Sequence, residues 1–458
     1  MLEEPTFLRS SPSNNAPRKW IASVSYRVPC VSHDEKPMIR ANQLRLVLLT
    51  FAVVLTACSS DGGSADTTAT TSTTNAPEPD ATDVAPSETT TTPATAAPSD
   101  TPIGFDEWTA FRGGPDRRAF DGQPEGSDAP ELLWRSATGG VIESSPAVVD
   151  GLVIGGTFDN AVVAFDANTG EQRWRFEVGG LVRSSPAVVN GVAYFGADDN
   201  LFYAVNIADG SEVWRFELGG GGQQSSPTVA NGVVYFGAFD NFVYALDAET
   251  GNQIWRFETG AGILSSPLLT RGTVSIGSID GVYYALDAET GEERWRVATN
   301  AGVFSSGAFL PAIDEDSPDA IVFGSDDGQI RAVAAADGSP LWSVQTRASV
   351  FATPSIVDGL VYIGSRDGSF LAIDGAMGDV TWGVNLTEVL SSAAVTNDRI
   401  YVGSSDGNLH VLDRATGESL HRLPVGDLVW TSPVVVDEHL FFGAHDGNIH
   451  AYQLTIEF

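Results

Sequence analysis

The sequence contains little cysteine and little lysine. Its 458 residues include two cysteines, Cys30 and Cys58, and no lysine follows Lys36. So few cysteines exclude a small scaffold held together by several disulfides. Asp and Glu outnumber Lys and Arg by 59 to 25, which gives a net charge of −34. An acidic surface of this kind repels phosphate backbones, so we expect no nucleic-acid partner.

Apolar runs in the sequence are short. One of them, Leu46 to Leu55, follows Arg40 and Arg45. About 20 apolar residues are needed to cross a bilayer, so the pattern predicts a secretion signal rather than a membrane span. The run ends in Leu-Thr-Ala-Cys58, which resembles the lipoprotein box of bacteria. The resemblance implies cleavage before Cys58, a lipid on its thiol, and anchoring on the extracytoplasmic face of a bacterial membrane.

Composition divides the chain into four segments. Residues 38–58 are the predicted lipoprotein signal peptide. Residues 1–37 are a non-native extension if translation starts at Met38 rather than at Met1. Residues 59–103, rich in Thr, Ser, Pro and Ala, are predicted to be a disordered linker, because they cannot bury enough apolar surface to fold. Residues 104–458 form the predicted folded domain.

One unit, Ala-x-Asp-x-x-Thr-Gly-x-x-x-Trp, recurs within the folded domain. Clear copies run from Ala164 to Trp174 and from Ala245 to Trp255. The Asp opens a turn, the Gly supplies a positive φ, and the Trp lies on the following strand. Burying one indole per copy is expected to dock neighbouring repeats on one another. The docking residues are Trp134, Trp174, Trp214, Trp255, Trp295, Trp342 and Trp382, with His421 in the eighth place.

Each copy predicts four antiparallel strands. The first strand follows a triplet such as Ser184-Ser185-Pro186, and a tight turn such as Asp240-Asn241 joins the second and third strands. Eight such sheets stacked around an axis form an all-β, eight-bladed β-propeller. The last copy, Ser432 to Phe458, supplies three strands. We therefore expect the strand from Leu132 to Ala137 to complete the last blade and close the ring.

The repeat resembles the tryptophan-docking unit of the pyrroloquinoline-quinone (PQQ)-like propeller family. A segment similar to that family's entry segment is Phe111-Arg112-Gly113-Gly114-Pro115, and the resemblance covers residues 105–458. It implies one of two functions. The first is a monomeric scaffold of the BamB lipoprotein type, which binds protein or peptide partners in the cell envelope and needs no cofactor. The second is a quinoprotein dehydrogenase that holds PQQ with calcium.

Cysteine content separates these two functions. The alcohol-oxidising branch of the family carries a vicinal disulfide over its cofactor, and no cysteine follows Cys58 here. A Cys-x-x-Cys-His haem motif is absent as well. The sequence therefore favours the scaffold over the enzyme, with PQQ and calcium as the alternative.

The residue before each Ser-Ser-Pro-like triplet varies, whereas its surroundings repeat. These residues enter the innermost strands, so they are expected to ring one mouth of the central channel. Three give polar groups and five give apolar ones, as a peptide or ligand site requires; the alternative is that they plug the channel against one another. The column consists of Glu143, Arg183, Gln224, Leu264, Phe304, Phe351, Leu390 and Trp430.

Other chemistry-bearing residues predict neither a metal site nor a catalytic site. His410 and His450 occupy equivalent positions of adjacent repeats, too far apart to share one ion. Each Asp of the tight turns offers too few oxygens for calcium. The serines of the triplets lack a recurring His and Asp, so we expect no catalytic triad.

Overall fold

The computed structural model describes residues 129–312 and 317–454. The predicted signal peptide with Cys58, the linker and the entry segment lie outside the described residues. The described residues form 32 strands arranged in eight four-stranded antiparallel sheets, and they contain no helix. A helix long and apolar enough to span a membrane is accordingly not found among them.

The sheets are the blades, numbered 1 to 8 by the chain order of their first strands, and the eight-bladed, all-β prediction is confirmed. The first strands are β2 (Ala147–Val149), β6 (Ala187–Val189), β10 (Thr228–Ala230), β14 (Leu268–Thr270), β18 (Ala308–Leu310), β22 (Ser355–Val357), β26 (Ala394–Val395) and β30 (Val434–Val436). The second strands are β3 (Leu152–Thr157), β7 (Val192–Gly196), β11 (Val233–Gly237), β15 (Thr273–Gly277), β19 (Ala320–Gly324), β23 (Leu360–Gly364), β27 (Arg399–Gly403) and β31 (His439–Gly443).

The outer half of each blade follows the same order. The third strands are β4 (Ala161–Asp166), β8 (Leu201–Asn206), β12 (Phe242–Asp247), β16 (Val282–Asp287), β20 (Gln329–Ala334), β24 (Ser369–Asp374), β28 (Asn408–Asp413) and β32 (Asn448–Gln453). The fourth strands are β5 (Gln172–Glu177), β9 (Glu212–Glu217), β13 (Gln253–Glu258), β17 (Glu293–Ala298), β21 (Pro340–Gln345), β25 (Val380–Asn385), β29 (Ser419–Pro424) and, in blade 8, β1 (Glu131–Ala137).

Burial explains the composition of these strands. The first strands contact one another from blade to blade, β2 touching both β6 and β30, so they line the axis. Second and third strands are buried on both faces, because each blade is covered by two neighbours, and they read as continuous runs of Val, Ile, Tyr, Phe and Ala. Fourth strands such as β9 alternate between exposed and half-buried residues, as expected of an outer edge.

The ring closes through the first and last strands of the chain, as the sequence predicts. Strand β1 pairs antiparallel with β32, and Trp134 lies opposite Ala451. Beyond the strand, the backbone N–H of Thr138 donates to the carbonyl oxygen of Gly447 at 2.9 Å. Blade 8 therefore combines both ends of the described chain, with β1 as its outermost strand.

Tryptophan side chains join neighbouring blades. The Nε1 of each of the seven docking tryptophans donates to a backbone carbonyl oxygen in the turn before the fourth strand of the next blade; for example, the bond from Trp255 to Ala288 is 3.0 Å long. The other six bonds run from Trp134 to Ala167, Trp174 to Ile207, Trp214 to Ala248, Trp295 to Ala335, Trp342 to Gly375 and Trp382 to Arg414.

Two structural constraints require glycine in the turn that precedes the fourth strand of a blade. Gly291 has φ of +73°, which L side chains rarely adopt. A Cβ atom on Gly291 would also lie 2.7 Å from the indole of Trp255 in the preceding blade. The sequence pattern indicates the first constraint only; the second is a contact between blades.

Candidate binding site at one mouth of the central channel

A ring of hydroxyl groups surrounds the axis where the first strands begin. At seven of the eight blade junctions, a backbone N–H donates to a serine hydroxyl of the next blade, as from Ser226 to Ser266 at 2.9 Å. The remaining bonds run from Ser145 to Ser185, Ser185 to Ser226, Ser266 to Ser306, Thr353 to Ser392, Ser392 to Ser432 and Ser432 to Ser145. Between blades 5 and 6 the Ser305 hydroxyl instead donates to the carbonyl oxygen of Ala352 at 2.8 Å. The repeated triplet thus holds the inner strands in register.

One cavity, of about 180 Å³, opens above this ring. It is lined by the hydroxyl ring and by the variable column that the sequence singles out. All eight members of that column lie at this cavity, and all are partly exposed: Glu143, Arg183, Gln224, Leu264, Phe304, Phe351, Leu390 and Trp430. We call this cavity and its lining the mouth. A binding role for the column stays a prediction.

The polar arc of the mouth lies on blades 1 to 3. Arg183 donates to Glu143 at 2.8 Å and to Asp198 at 3.3 Å, and its guanidinium lies 4.4 Å from the ring centre of Phe158. Gln224 also bonds to Asp198. Burial raises the pKa of Glu143, against the opposing charge of Arg183, and it raises the pKa of Asp198 in the same way. The carboxyl groups of Glu143 and Asp198 therefore share the guanidinium of Arg183 at a site that is partly shielded from water.

The apolar arc lies on blades 4 to 8. The rings of Phe304 and Phe351 are 4.8 Å apart at an interplanar angle of 46°. The guanidinium of Arg366 lies 5.3 Å from the ring centre of Phe351 and is paired with Glu388 at 2.6 Å. At the end of the arc, the Trp430 indole donates to the Ser405 hydroxyl at 2.9 Å. The aromatic rings are therefore held in place by neighbours and still face the cavity.

Sequence reasoning missed a second ring outside the column. It consists of the residue before each tight-turn Asp or its equivalent, and each backbone N–H donates to the carbonyl oxygen two residues before the column, as from Asp198 to Leu181 at 2.9 Å. This second ring contains Phe158, Asp198, Phe239, Ile279, Asp326, Arg366, Ser405 and His445. The signal was present in the sequence, because these positions vary within an otherwise repeating unit.

His445 is the most enclosed member of the second ring. Its side chain is 2% exposed and its Nε2 lies 3.6 Å from Oε1 of Glu143. The Trp430 ring packs edge-on against it, with ring centres 4.5 Å apart. Burial lowers the pKa of His445, so the imidazole is neutral at pH 7. Neither ring nitrogen has a hydrogen-bond partner among the described residues.

Two other histidines of the described blades stand where blades 2 to 4 have a tyrosine. His410 and His450 each contact the tight-turn Asp four residues earlier, with Nε2 to Oδ2 distances of 3.0 Å. Blades 2 to 4 place a tyrosine there, and Tyr244 donates to Asp240 at 2.7 Å. The same Asp240 accepts the backbone N–H of Gly219 from the loop leaving blade 2 at 2.8 Å. These aspartates are thus structural groups of the turns and of the blade junctions.

The mouth does not fit PQQ with calcium. PQQ is a tricarboxylate, whereas Arg183, which lines the cavity, and Arg366, which lies over Phe351, are already paired with Glu143 and Glu388. Calcium requires six or more oxygen ligands. No group of three or more His, Cys, Asp or Glu side chains able to hold a metal occurs within residues 129–312 and 317–454.

The fold and the docking tryptophans define the class of this protein, which is the eight-bladed PQQ-like propeller. More particularly, the chain belongs to the family described as the β-propeller of beta-alanine-activating enzyme, whose model matches residues 127–360, just over half of the chain. The family described as outer membrane protein assembly factor BamB matches residues 317–455. No curated protein matches the chain.

Solved structures share the fold at low identity. BamB from Moraxella catarrhalis is 19% identical, with a TM-score of 0.62, over 71% of this chain and 98% of that one. Quinohemoprotein alcohol dehydrogenase from Comamonas testosteroni is 16% identical, with a TM-score of 0.68, over 78% of this chain and 82% of that one. The computationally designed Ika8 protein is 19% identical, with a TM-score of 0.62, over 70% of this chain and 99% of that one. An assembly factor, an enzyme and a designed protein share this fold, so function must be argued from the mouth.

Proposed function

We propose that this protein is a lipid-anchored, extracytoplasmic scaffold, which binds a protein or peptide partner of the cell envelope at the mouth. The observation that carries the proposal is the contrast between scaffold and lining. The hydroxyl ring and the docking tryptophans repeat around the axis, whereas the side chains that face the cavity differ from blade to blade. The repeated residues stabilise the fold, and we assign partner recognition to the variable residues that line the mouth.

The chemistry of the lining supports a polypeptide partner. Phe304, Phe351 and Trp430 offer partly exposed aromatic surface beside the ion pair of Glu143 and Arg183. Large aromatic side chains next to polar groups are typical of residues that dominate protein interfaces. The match of residues 317–455 to the BamB family points in the same direction. Lipid anchoring rests on the sequence around Cys58, outside the described residues.

The proposal is tested by affinity capture with the full chain from membranes of the source organism, followed by mass spectrometry. We expect the double variant Phe304→Ser and Phe351→Ser to lose the partners that the wild type retains. The matched control is Val213→Ser with Ile254→Ser, which removes apolar groups that are each 49% exposed on the outer strands. Equal capture by both double variants would contradict a binding role for the mouth.

Cleavage and lipidation are tested separately. Mass spectrometry of the protein from membranes is expected to show a lipid on Cys58, and Cys58→Ser is expected to release the protein into the soluble fraction. An unmodified Cys58 thiol in the membrane fraction would remove the anchor from the proposal without affecting the mouth.

A further inference from the structure

The polar arc of the mouth has an excess of acceptors. Glu143 and Asp198 are two carboxyl groups, and Arg183 is the cation that both of them contact. Oδ1 of Asp198 is buried and has no hydrogen-bond partner among the described residues. A carboxylate oxygen without a donor is costly away from water. The arrangement therefore leaves a place for one more cationic donor.

His445 supplies a second, independent indication at the same arc. Its imidazole is buried between Trp430 and Glu143, and neither nitrogen has a partner in the described part of the chain. A neutral imidazole carries one acceptor nitrogen. Buried polar groups in folded proteins are nearly always hydrogen-bonded, so the unpaired imidazole, 3.6 Å from Glu143, marks this arc as short of hydrogen-bond partners.

The neighbouring apolar arc determines which kind of cation fits. Trp430 contacts His445 and lines the cavity, so an aliphatic stem can lie along an aromatic surface while its charged end reaches the polar arc. Lysine and arginine side chains combine a long apolar stem with a cationic head, and aromatic faces attract such heads. The net charge of −34 for the whole chain draws cations toward it at long range.

We propose that the polar arc of the mouth binds a cationic side chain, a lysine or an arginine, of the partner segment, with its head at the carboxyl groups of Glu143 and Asp198, beside His445. This inference rests on the proposed function and specifies the chemistry of its partner. The head group completes the donor set that Arg183 and Gln224 leave short. The stem and the adjacent residues of the segment contact Trp430, Phe351 and Phe304.

Calorimetric titration of the purified full chain tests the inference. The probe is the acetylated and amidated tripeptide Phe-Lys-Phe, compared with analogues that carry norleucine or glutamate in place of lysine. We expect the lysine peptide to bind at least tenfold more tightly than the norleucine peptide and the glutamate peptide to bind more weakly still. Raising the salt concentration should weaken the lysine peptide and leave the norleucine peptide unchanged.

Variants locate the effect. Glu143→Gln and Asp198→Asn are each expected to weaken the lysine peptide about fivefold to tenfold without affecting the norleucine peptide. The matched control is Asp326→Asn, which removes the same charge from the second ring on blade 5, away from the polar arc. An equal loss with all three variants would reduce the effect to overall charge and would overturn the inference.

Two further results would overturn it: equal affinity for the lysine and norleucine peptides, or no binding of any of the three. If membrane capture still depends on Phe304 and Phe351 in that case, the scaffold function stands and the cationic specificity fails. If the lysine peptide binds as expected while membrane capture does not depend on the mouth, the cationic specificity stands and the scaffold function fails.

Discussion

The backbone N–H of Ser432 donates to the hydroxyl of Ser145 at 2.8 Å, although 287 positions separate the two residues in the chain. This bond is one member of the ring of equivalent bonds around the axis. It joins the entry to the innermost strand of blade 8 to that of blade 1, while β1 of blade 8 bonds to blade 1 at the outer edge through Trp134. The ring is therefore closed at its centre and at its circumference by independent contacts.

Outer closure predicts a specific role for Trp134. Its indole donates to the carbonyl oxygen of Ala167 at 3.0 Å and packs against Phe165 and Phe441. We expect Trp134→Ala to lower the free energy of unfolding by about 3 kcal/mol, since it removes a large packed side chain. Urea denaturation measures the change. The control is Leu133→Ala at the adjacent position, which is 43% exposed; losses of the same size in both variants would count against closure through β1.

Contact between turn glycines and tryptophans predicts a difference between two glycine substitutions. Gly291 and Gly232 have similar φ angles, +73° and +77°. A Cβ atom on Gly291 would meet the indole of Trp255, whereas one on Gly232 would meet nothing within 4 Å. Both substitutions to Ala cost backbone strain of about 1 kcal/mol. We expect Gly291→Ala to cost at least ~1 kcal/mol more in thermal or urea unfolding, and equal costs would show that the indole is free to move.

Buried histidines predict that stability falls in mild acid. Burial lowers the pKa of His410 despite the opposing charge of Asp406, with Arg422 adding to the decrease. The unfolded chain takes up a proton near the ordinary pKa of about 6.5, whereas the folded chain takes it up only at lower pH. Stability is therefore expected to fall as the pH drops below about 6.5, with a slope of at most about 1.4 kcal/mol per pH unit for each such proton.

A tyrosine at position 410 tests that prediction. Tyr203, Tyr244 and Tyr284 already occupy the equivalent position in blades 2 to 4 and donate to their aspartates at 2.7 Å. We expect His410→Tyr to fold and to show a flatter dependence of the melting temperature on pH between 7 and 5.5. An unchanged slope would assign the acid sensitivity to other groups, such as His445.

Partial exposure of the mouth predicts that its aromatic residues contribute little to folding. Phe304, Phe351 and Trp430 each keep a solvent-exposed part. Replacing all three with Ser is expected to leave the circular dichroism spectrum intact and to lower the unfolding free energy by less than the sum of three buried truncations, which cost about 3–5 kcal/mol each. Global unfolding of the triple variant would favour the alternative that these rings plug the channel.

The sequence predicts the architecture well because the same interaction recurs in phase. The tight-turn aspartates, the turn glycines and the tryptophans each mark one location in the blade. The strand that carries Trp134 could therefore be assigned to the fourth position of the last blade. Closure of the ring could also be predicted from the number of strands, since the last repeat supplies three strands and the blade needs four. Repetition made local signals that are individually weak add up to one topology.

The site was less accessible to sequence reasoning. The column from Glu143 to Trp430 could be placed at one mouth, because every member enters an innermost strand. The second ring, with Asp198 and His445, was missed: its positions vary in the sequence, but their place at the mouth depends on the bond between a hairpin turn and the loop that enters the first strand of the same blade. The missing donor at Asp198 and the burial of His445 are properties of side-chain packing, which spacing along the chain does not encode.

The most direct test of a partner-binding mouth is site-specific photo-crosslinking on intact membranes. Benzoylphenylalanine at Leu390, in the mouth, is compared with the same group at Asn397, which is exposed at the opposite end of the innermost strand of blade 7. We predict a discrete crosslinked partner from position 390 and none from position 397. Crosslinks of equal yield from both positions, or from position 397 alone, would contradict the mouth as the binding site.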